Sequence, residues 1–278
     1  MSIIDLIVSR HGKKQPTDRR GYPGDAFDRN VHLSDEGKAQ AYAIGERLFS
    51  GKRYARVIVV TSGFQRTRET ADAVLEGAGM DPNALYETPA CARFWIDSHL
   101  GFGGPQWVFP EGTPKFGDVP ELLGPHISYG LREHFLQRED AADGQYPIMA
   151  RHAAAVAGTL SADVRELENG LTGSERGLLV VTSHAHPVDA AAAYLSAALQ
   201  LTPIVQREEG KSVYTVQLAE PYTPHLQGEF FSGEFSRGRQ SEFELQIKGK
   251  TYALPLAAID RAAAELPYLA AHAVQREA

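Results

Sequence analysis

Two histidines and two arginines stand near the points where apolar stretches of the sequence end. Arg10 and His11 follow the first stretch, Arg66 comes shortly after the second, and His184 ends the third. Guanidinium groups bind phosphate oxygens through paired N–H donors, and a neutral imidazole can attack phosphorus. If the ends of these stretches meet in the fold, the sequence predicts a site where a histidine takes up a phosphoryl group.

The position of Arg66 supports an anion at this site. A helix is predicted to begin near Gly63 or Phe64 and to end around Gly77 to Gly79. Arg66 would then lie in the first turn, where a positive side chain faces the positive end of the helix dipole. A bound anion removes that conflict, and the free N–H groups of the helix end are further donors for it.

The apolar stretches that would position these residues are short and rich in branched side chains. They are Ile3 to Ser9, Arg56 to Ser62 and Gly177 to His184. Such runs are typical of strands that are covered on both faces. Because the carboxyl ends of parallel strands meet at one edge of a sheet, the candidate residues are predicted to converge there.

Helical patterns alternate with these strands. One helix is predicted after the N-cap Ser34, another from Ile148 to Leu167, and another from Pro187 through the alanine-rich segment that follows it. Alternation of strands and helices predicts an α/β fold, a three-layer α/β/α sandwich with a mostly parallel sheet.

We predict a single domain over residues 1–278 with two additions. Residues 98–147 are dense in glycine, proline and aromatic residues and are predicted to form an inserted, lid-like region. Residues 219–278 are predicted to form a C-terminal extension, in which residues 243–254 alternate around a Lys-Gly-Lys turn as a β-hairpin would and a helix follows.

Composition restricts the partners. The formal net charge of −7 argues against binding to nucleic acid or to an anionic membrane through the overall field. The sequence has no apolar run of membrane-spanning length and no secretory signal at its start, so a cytoplasmic location is expected. The single cysteine, Cys91, excludes an internal disulfide.

Four short motifs carry a family resemblance. They are SRHG at Ser9 to Gly12, LSDEGKAQA at Leu33 to Ala41, SGFQRTRETA at Ser62 to Ala71 and VVTSHA at Val180 to Ala185. In this order they resemble the motifs of the histidine phosphatase superfamily, in its phosphoglycerate mutase-like branch. Four ordered motifs are far more specific than an isolated Arg-His-Gly.

The resemblance implies a role for each matching residue. His11 would become the phosphohistidine, while Arg10, Arg66 and His184 would hold the phosphoryl group, without a metal or other cofactor. A carboxylic acid from the middle of the chain would protonate the leaving oxygen. Asp97 is the first candidate for this acid and Glu111 the second, since the glutamate usual in the family is absent from ARFWIDSHLG.

The substrate is expected to be a small phosphorylated molecule whose identity the sequence leaves open, as it does the oligomeric state. Gly12 permits close approach of the backbone to a ligand, and Ser62 belongs to the same set of candidate substrate-binding residues. Lys13 and Lys14 could extend the anion site, or they could belong to a solvated basic loop. Lys13 stands where the family usually has Gln or Glu, which argues against phosphoglycerate mutase activity and leaves phosphatase activity intact.

Two further interpretations stay open. The loose pattern His184-Ala185-His186, followed by Asp189, could place two imidazoles on one face of a strand as zinc ligands, although no second ligand cluster accompanies it. A protein that keeps the anion site but has lost the acid would bind phosphate or a partner without catalysis.

Overall fold

The computed structural model describes residues 2–16, 30–88, 91–96, 148–196, 199–208, 211–218, 225–236 and 241–264. In the described part of the chain the strands are β1 (Ile3–Arg10), β2 (Arg56–Thr61), β3 (Cys91–Ile96), β4 (Arg176–Ser183), β5 (Leu199–Glu208), β6 (Lys211–Leu218), β7 (Phe230–Ser236), β8 (Glu242–Ile247) and β9 (Lys250–Pro255). The helices there are α1 (Asp35–Phe49), α2 (Gln65–Gly77), α3 (Pro82–Tyr86), α4 (Ile148–Gly170), α5 (Ala185–Leu195) and α6 (Leu256–Ala264).

The sheet that carries the candidate residues has the order β3-β2-β4-β1-β7-β8-β9. Strands β3, β2, β4 and β1 run parallel to one another, so the ends of β1, β2 and β4 lie at one edge, as predicted. Strand β7 pairs antiparallel with β1, and β8 and β9 continue the sheet antiparallel. A separate antiparallel pair is formed by β5 and β6.

The prediction of a mostly parallel sheet is wrong, because the sheet is mixed. Within the seven-stranded sheet three strand pairs are parallel and three are antiparallel, and the separate pair of β5 and β6 is antiparallel as well. The difference arises at β7, which lacks a continuous apolar run and pairs with β1 more than 200 positions earlier in the chain, for example Phe235 with Ile4. The three-layer sandwich and the single-domain division stay predictions.

Apolar side chains cover both faces of the parallel strands. On β1, Leu6 and Val8 join an apolar cluster with α4, α5, α6 and the C-terminal strands. Ile7, on the other face of the same strand, joins a second cluster with α1 and α2. Because successive strand residues point to opposite faces, burial on both sides explains the nearly continuous apolar sequence of β1, β2 and β4.

Helices α1 and α2 cross with their backbones in contact. A side chain on Gly45 would overlap the carbonyl oxygen of Val74, and a side chain on Gly77 would overlap that of Tyr42. Helix α1 begins at Ser34, whose hydroxyl accepts a hydrogen bond from the Gly37 N–H at 3.1 Å. The glycines therefore set how closely α2, which carries Arg66, lies against α1.

Three further predictions concern the end of one helix, a hairpin and an insertion. Helix α5 ends at Leu195, earlier than the alanine-rich pattern suggested, and β5 begins at Leu199. At the predicted hairpin, β8 and β9 pair around a turn with positive φ at Lys248 and Gly249, and α6 follows. The predicted insertion at 98–147 lies outside the described residues.

No helix in the described part of the chain is both long and apolar enough to cross a membrane.

Candidate active site

The peptide groups of Arg10 and His11 are fixed from two sides. The His11 N–H donates to the carbonyl of Ser183 at 2.9 Å, which extends the pairing of β1 with β4. On the other side, the Arg10 N–H donates to the carbonyl of Glu229 at 3.0 Å, and the Gly228 N–H donates to the carbonyl of His11 at 3.1 Å. The backbone that presents the candidate nucleophile is therefore held by β4 and by the segment that leads into β7.

The ring of His11 is buried, and its tautomer follows from its hydrogen bond. Nδ1 lies 2.8 Å from the carbonyl oxygen of Gly12. A carbonyl can only accept, so Nδ1 carries the hydrogen and Nε2 carries the lone pair. Burial, followed by the nearby positive charge of Arg66, lowers the pKa of His11 well below 6.5. The imidazole is therefore neutral at pH 7, the form that can act as a nucleophile.

A hydrogen-bond chain fixes the ring of His184. The carbonyl of Phe64 can only accept, so the hydroxyl of Thr67 donates to it at 2.7 Å. Thr67 then accepts from the hydroxyl of Ser62 at 3.1 Å, and Ser62 accepts from Nε2 of His184 at 2.8 Å. This leaves Nδ1 of His184 as the acceptor that Arg66 Nη2 approaches at 3.4 Å.

The two imidazoles are neighbours, with ring centroids 5.2 Å apart in an edge-on arrangement. Arg66 is only 2% exposed, and its guanidinium lies over the ring of Phe64, 4.7 Å from the centroid. Thr70 connects α2 to the loop after β1, because its hydroxyl donates to the carbonyl of Arg66 at 2.7 Å and accepts from the Gly12 N–H at 3.1 Å. Helix α2 therefore positions both Arg66 and the turn that holds His11.

Arg10 is held through its Nη1, which donates to the carbonyl of His225 at 2.7 Å. Its Nε is buried and has no hydrogen-bond partner among the described residues. Burial lowers the pKa of Arg10, while the charges of Asp189 and Glu229 oppose that shift. A buried N–H donor without a partner at the end of β1 fits a phosphoryl oxygen as its acceptor.

Of the predicted substrate-binding residues, Gly12 lies tightly against the start of α1: a side chain there would come within 2.5 Å of the carbonyl oxygen of Gly37. Lys13 points its ammonium at Glu36, 2.5 Å away, on the exposed side of the loop. The positive charge of Lys14 contributes to the lowered pKa of His11.

Asp97 and Glu111, the two candidates for the acid, lie outside the described residues. The zinc interpretation required His184 and His186 to alternate on one strand, but β4 ends at Ser183 and α5 begins at Ala185. Within the described ranges, no group of three or more His, Cys, Asp or Glu side chains could hold a metal ion.

The sequence did not predict the residues whose hydrogen bonds hold the candidate site residues in place. Thr67 and Thr70 lie in the motif around Arg66, and their spacing on a helix places both near its first turn, so a signal for them existed. Asp189 and His225 form a fully buried pair with Nδ1 of His225 2.8 Å from Oδ1 of Asp189. They are 36 positions apart, and no local pattern links them.

The fold and the site define an α/β protein with a buried neutral histidine flanked by arginines. Residues 6–87 match the family model of the histidine phosphatase superfamily (branch 1). The match confirms the family resemblance inferred from the motifs, over the segment that contains Arg10, His11 and Arg66. No curated protein matches the sequence.

Among solved structures, Bacillus stearothermophilus YhfR aligns with a TM-score of 0.45 at 15% identity, over 90% of this chain and 98% of that chain. The structure titled Mycobacterial hydrolase 2 aligns with a TM-score of 0.45 at 17% identity, over 95% and 98% of the two chains. A mycobacterial glucosyl-3-phosphoglycerate phosphatase aligns with a TM-score of 0.41 at 14% identity, over 88% and 98%.

Proposed function

We propose that the protein is a phosphomonoesterase that works through a phosphohistidine at His11. The observation that carries the proposal is the buried, neutral imidazole whose Nδ1–H is held by the carbonyl of Gly12, so that the lone pair resides on Nε2. A second support is the positive charge near this ring, since the charges of Arg66, Arg10 and Lys14 all lower the pKa of His11. Cations beside a neutral nucleophile suit attack on a phosphate dianion.

The reaction has two steps. The Nε2 lone pair of His11 forms a bond to phosphorus, the bond from phosphorus to the ester oxygen breaks, and that oxygen leaves as an alcohol with a proton from a carboxylic acid. A water oxygen then attacks phosphorus, the N–P bond breaks with its electron pair returning to Nε2, and the carboxylate takes up the water proton. The products are the alcohol and inorganic phosphate.

The proposed roles of the other groups follow from their chemistry. Arg10 and Arg66 neutralise the phosphoryl oxygens, and His184, next to His11, orients Arg66 through Nδ1. The acid is Asp97 or Glu111. The protein is further proposed to act without metal on a small phosphorylated molecule in the cytoplasm.

The test is hydrolysis of a panel of phosphomonoesters and bisphosphates, with and without a chelator. His11→Ala should lower kcat/KM for the best substrate by more than about a thousandfold, because the nucleophile is lost. His32→Ala is the matched control: His32 is exposed and bonded to Glu69, and its removal should leave kcat/KM within about twofold. Unchanged turnover in His11→Ala would overturn the proposal.

The same panel separates the remaining possibilities. Transfer of a phosphoryl group between substrates without release of phosphate would indicate a mutase. Binding of phosphate without turnover, even of an aryl phosphate whose leaving group needs little acid, would indicate a binding protein. Loss of activity with the chelator would revive metal catalysis.

A further inference from the structure

Arg10 depends on a backbone carbonyl that is distant in sequence. Its Nη1 donates to the carbonyl of His225 at 2.7 Å, and the two residues are 215 positions apart. A guanidinium has five N–H donors in a fixed planar arrangement. One short bond at Nη1 therefore restricts the directions in which the remaining donors of Arg10 can point.

The carbonyl of His225 is itself fixed by Asp189. Oδ1 of Asp189 accepts from the His225 N–H at 2.7 Å and lies 2.8 Å from Nδ1 of the same residue. A carboxylate oxygen can only accept, so Nδ1 carries the hydrogen. One oxygen atom thus holds both the backbone and the ring of His225, and both side chains are 0% exposed.

Asp189 also acts on Arg10 by charge. A buried carboxylate is costly unless an opposite charge or hydrogen bonds compensate it, and Asp189 has both, in the His225 donors and in the nearby guanidinium. Burial lowers the pKa of Arg10, and Asp189 is the main group that raises it again. The carboxylate therefore favours a charged guanidinium at a position where desolvation disfavours it.

We propose that Asp189 and His225 are positioning residues for Arg10: the carboxylate of Asp189 fixes the carbonyl of His225, and this carbonyl orients the guanidinium so that its other N–H groups meet the phosphoryl group. The inference rests on the proposed function for the identity of the bound anion. Neither residue contacts the reacting atoms; both act through Arg10.

The test measures binding of inorganic phosphate by calorimetry, in proteins with and without Arg10. Asp189→Ala should weaken phosphate binding by about tenfold or more in the wild-type background, because the donors of Arg10 lose their orientation. In an Arg10→Ala background the same change should alter phosphate binding by less than about twofold, because the guanidinium that Asp189 would position is absent. Asp189→Asn keeps an acceptor oxygen but removes the charge, and its effect should be smaller than that of Asp189→Ala.

Asp5→Asn is the matched control for the loss of a buried carboxylate. Asp5 lies on the same strand, β1, near its opposite end, and accepts from Tyr54, Lys52 and Arg176. This variant should lose stability yet bind phosphate as the wild type does. The unfolding temperature of every variant is measured first, so that phosphate is titrated into folded protein. If Asp189→Ala does not fold, Asp189→Asn in the two backgrounds decides the question.

The failure of this inference differs from the failure of the proposed function. Equal weakening of phosphate binding by the Asp189 changes in both backgrounds would overturn the positioning role while leaving catalysis by His11 untouched. Wild-type protein whose phosphate binding does not depend on Arg10 would overturn it as well. Turnover that survives in His11→Ala would instead refute the phosphohistidine mechanism, whatever the titrations give.

Discussion

At the scale of single residues, the site combines groups that ordinary folding rules disfavour. Arg66 is a buried cation in the first turn of a helix, the end where a negative charge is preferred. His11 is buried beside it, with its pKa well below 6.5. Both features cost stability, and an anion bound beside them would offset that cost.

The lowered pKa of His11 predicts how stability depends on pH. Below pH 6.5 the unfolded chain binds a proton at this ring while the folded chain does not. Protonation therefore stabilises the unfolded state relative to the folded state. The free energy of unfolding of the wild type should therefore fall relative to that of His11→Ala as pH drops from 6.5 toward the pKa of the folded state. The relative loss should approach about 1.4 kcal/mol per pH unit.

The measurement is urea unfolding of the two proteins at matched pH values. Gly158→Ala provides the comparison, because it removes no titratable group and a side chain there meets nothing within 4 Å, so the slope against pH should match that of the wild type. A difference between wild type and His11→Ala that stays constant over this range would mean that His11 titrates normally in the folded protein.

The sequence alone predicted that four residues from local motifs would lie together in the candidate site. They could be predicted because Arg10, His11 and His184 end or directly follow a strand and Arg66 lies in the first turn of a helix. The supporting pair of Asp189 and His225 could not, because contacts between distant segments are determined by tertiary packing.

At the scale of elements, the crossing of α1 and α2 determines where Arg66 lies. The two helices approach until the backbone of one meets Gly45 or Gly77 of the other. A methyl group at this contact would push the helices apart, and α2 carries both Arg66 and Thr70. The distance between these helices is therefore connected to the geometry around His11.

We expect Gly45→Ala to lower the free energy of unfolding by about 1–3 kcal/mol, because the new methyl group overlaps the carbonyl oxygen of Val74. The control is Gly158→Ala in α4, where a side chain meets nothing within 4 Å. That change should stabilise the protein by about 0.5–1 kcal/mol, since alanine loses less backbone entropy in a helix.

Chemical denaturation of the two variants measures both effects. Stabilisation by Gly45→Ala comparable to that by Gly158→Ala would show that the helices do not meet at this glycine.

The strands with a distinctive sequence pattern were predictable, and β7 was not. Strands β1, β2 and β4 are buried on both faces and read as apolar runs, whereas β7 contains Gly233, Glu234 and serines. The alternation of strands and helices predicted that these three strands are parallel, whereas their order in the sheet was not predicted. The antiparallel half of the sheet depends on β7 pairing with β1, which no local pattern in β7 indicates.

At the scale of the whole molecule, the C-terminal strands are part of the same core as the site. Phe235 of β7 and Phe243 of β8 pack with ring centroids 4.9 Å apart. Both belong to the apolar cluster that includes Leu6 and Val8 of β1. The segment before β7 also supplies the backbone contacts to Arg10 and His11.

Removing one of these rings should therefore weaken the whole fold. Phe243→Ala is expected to lower the free energy of unfolding by about 3–5 kcal/mol, because the ring is fully buried and leaves a cavity. Tyr42→Ala removes an aromatic ring that is 45% exposed and should cost much less. Unfolding of Phe243→Ala, followed by circular dichroism and by phosphate binding, should give one coincident transition.

Two separate transitions would show instead that the C-terminal strands unfold independently of the site.

The backbone of His11 is hydrogen-bonded to β4 and to the segment before β7, and these bonds affect the hydrogen–deuterium exchange of its amide. The amide hydrogen of His11 is bonded to Ser183, and its carbonyl is bonded to Gly228. Deuterium can replace that hydrogen only when the seam between β1 and β4 opens. The exchange rate of the His11 amide therefore measures how often the pairing between β1 and β4 opens next to the candidate site.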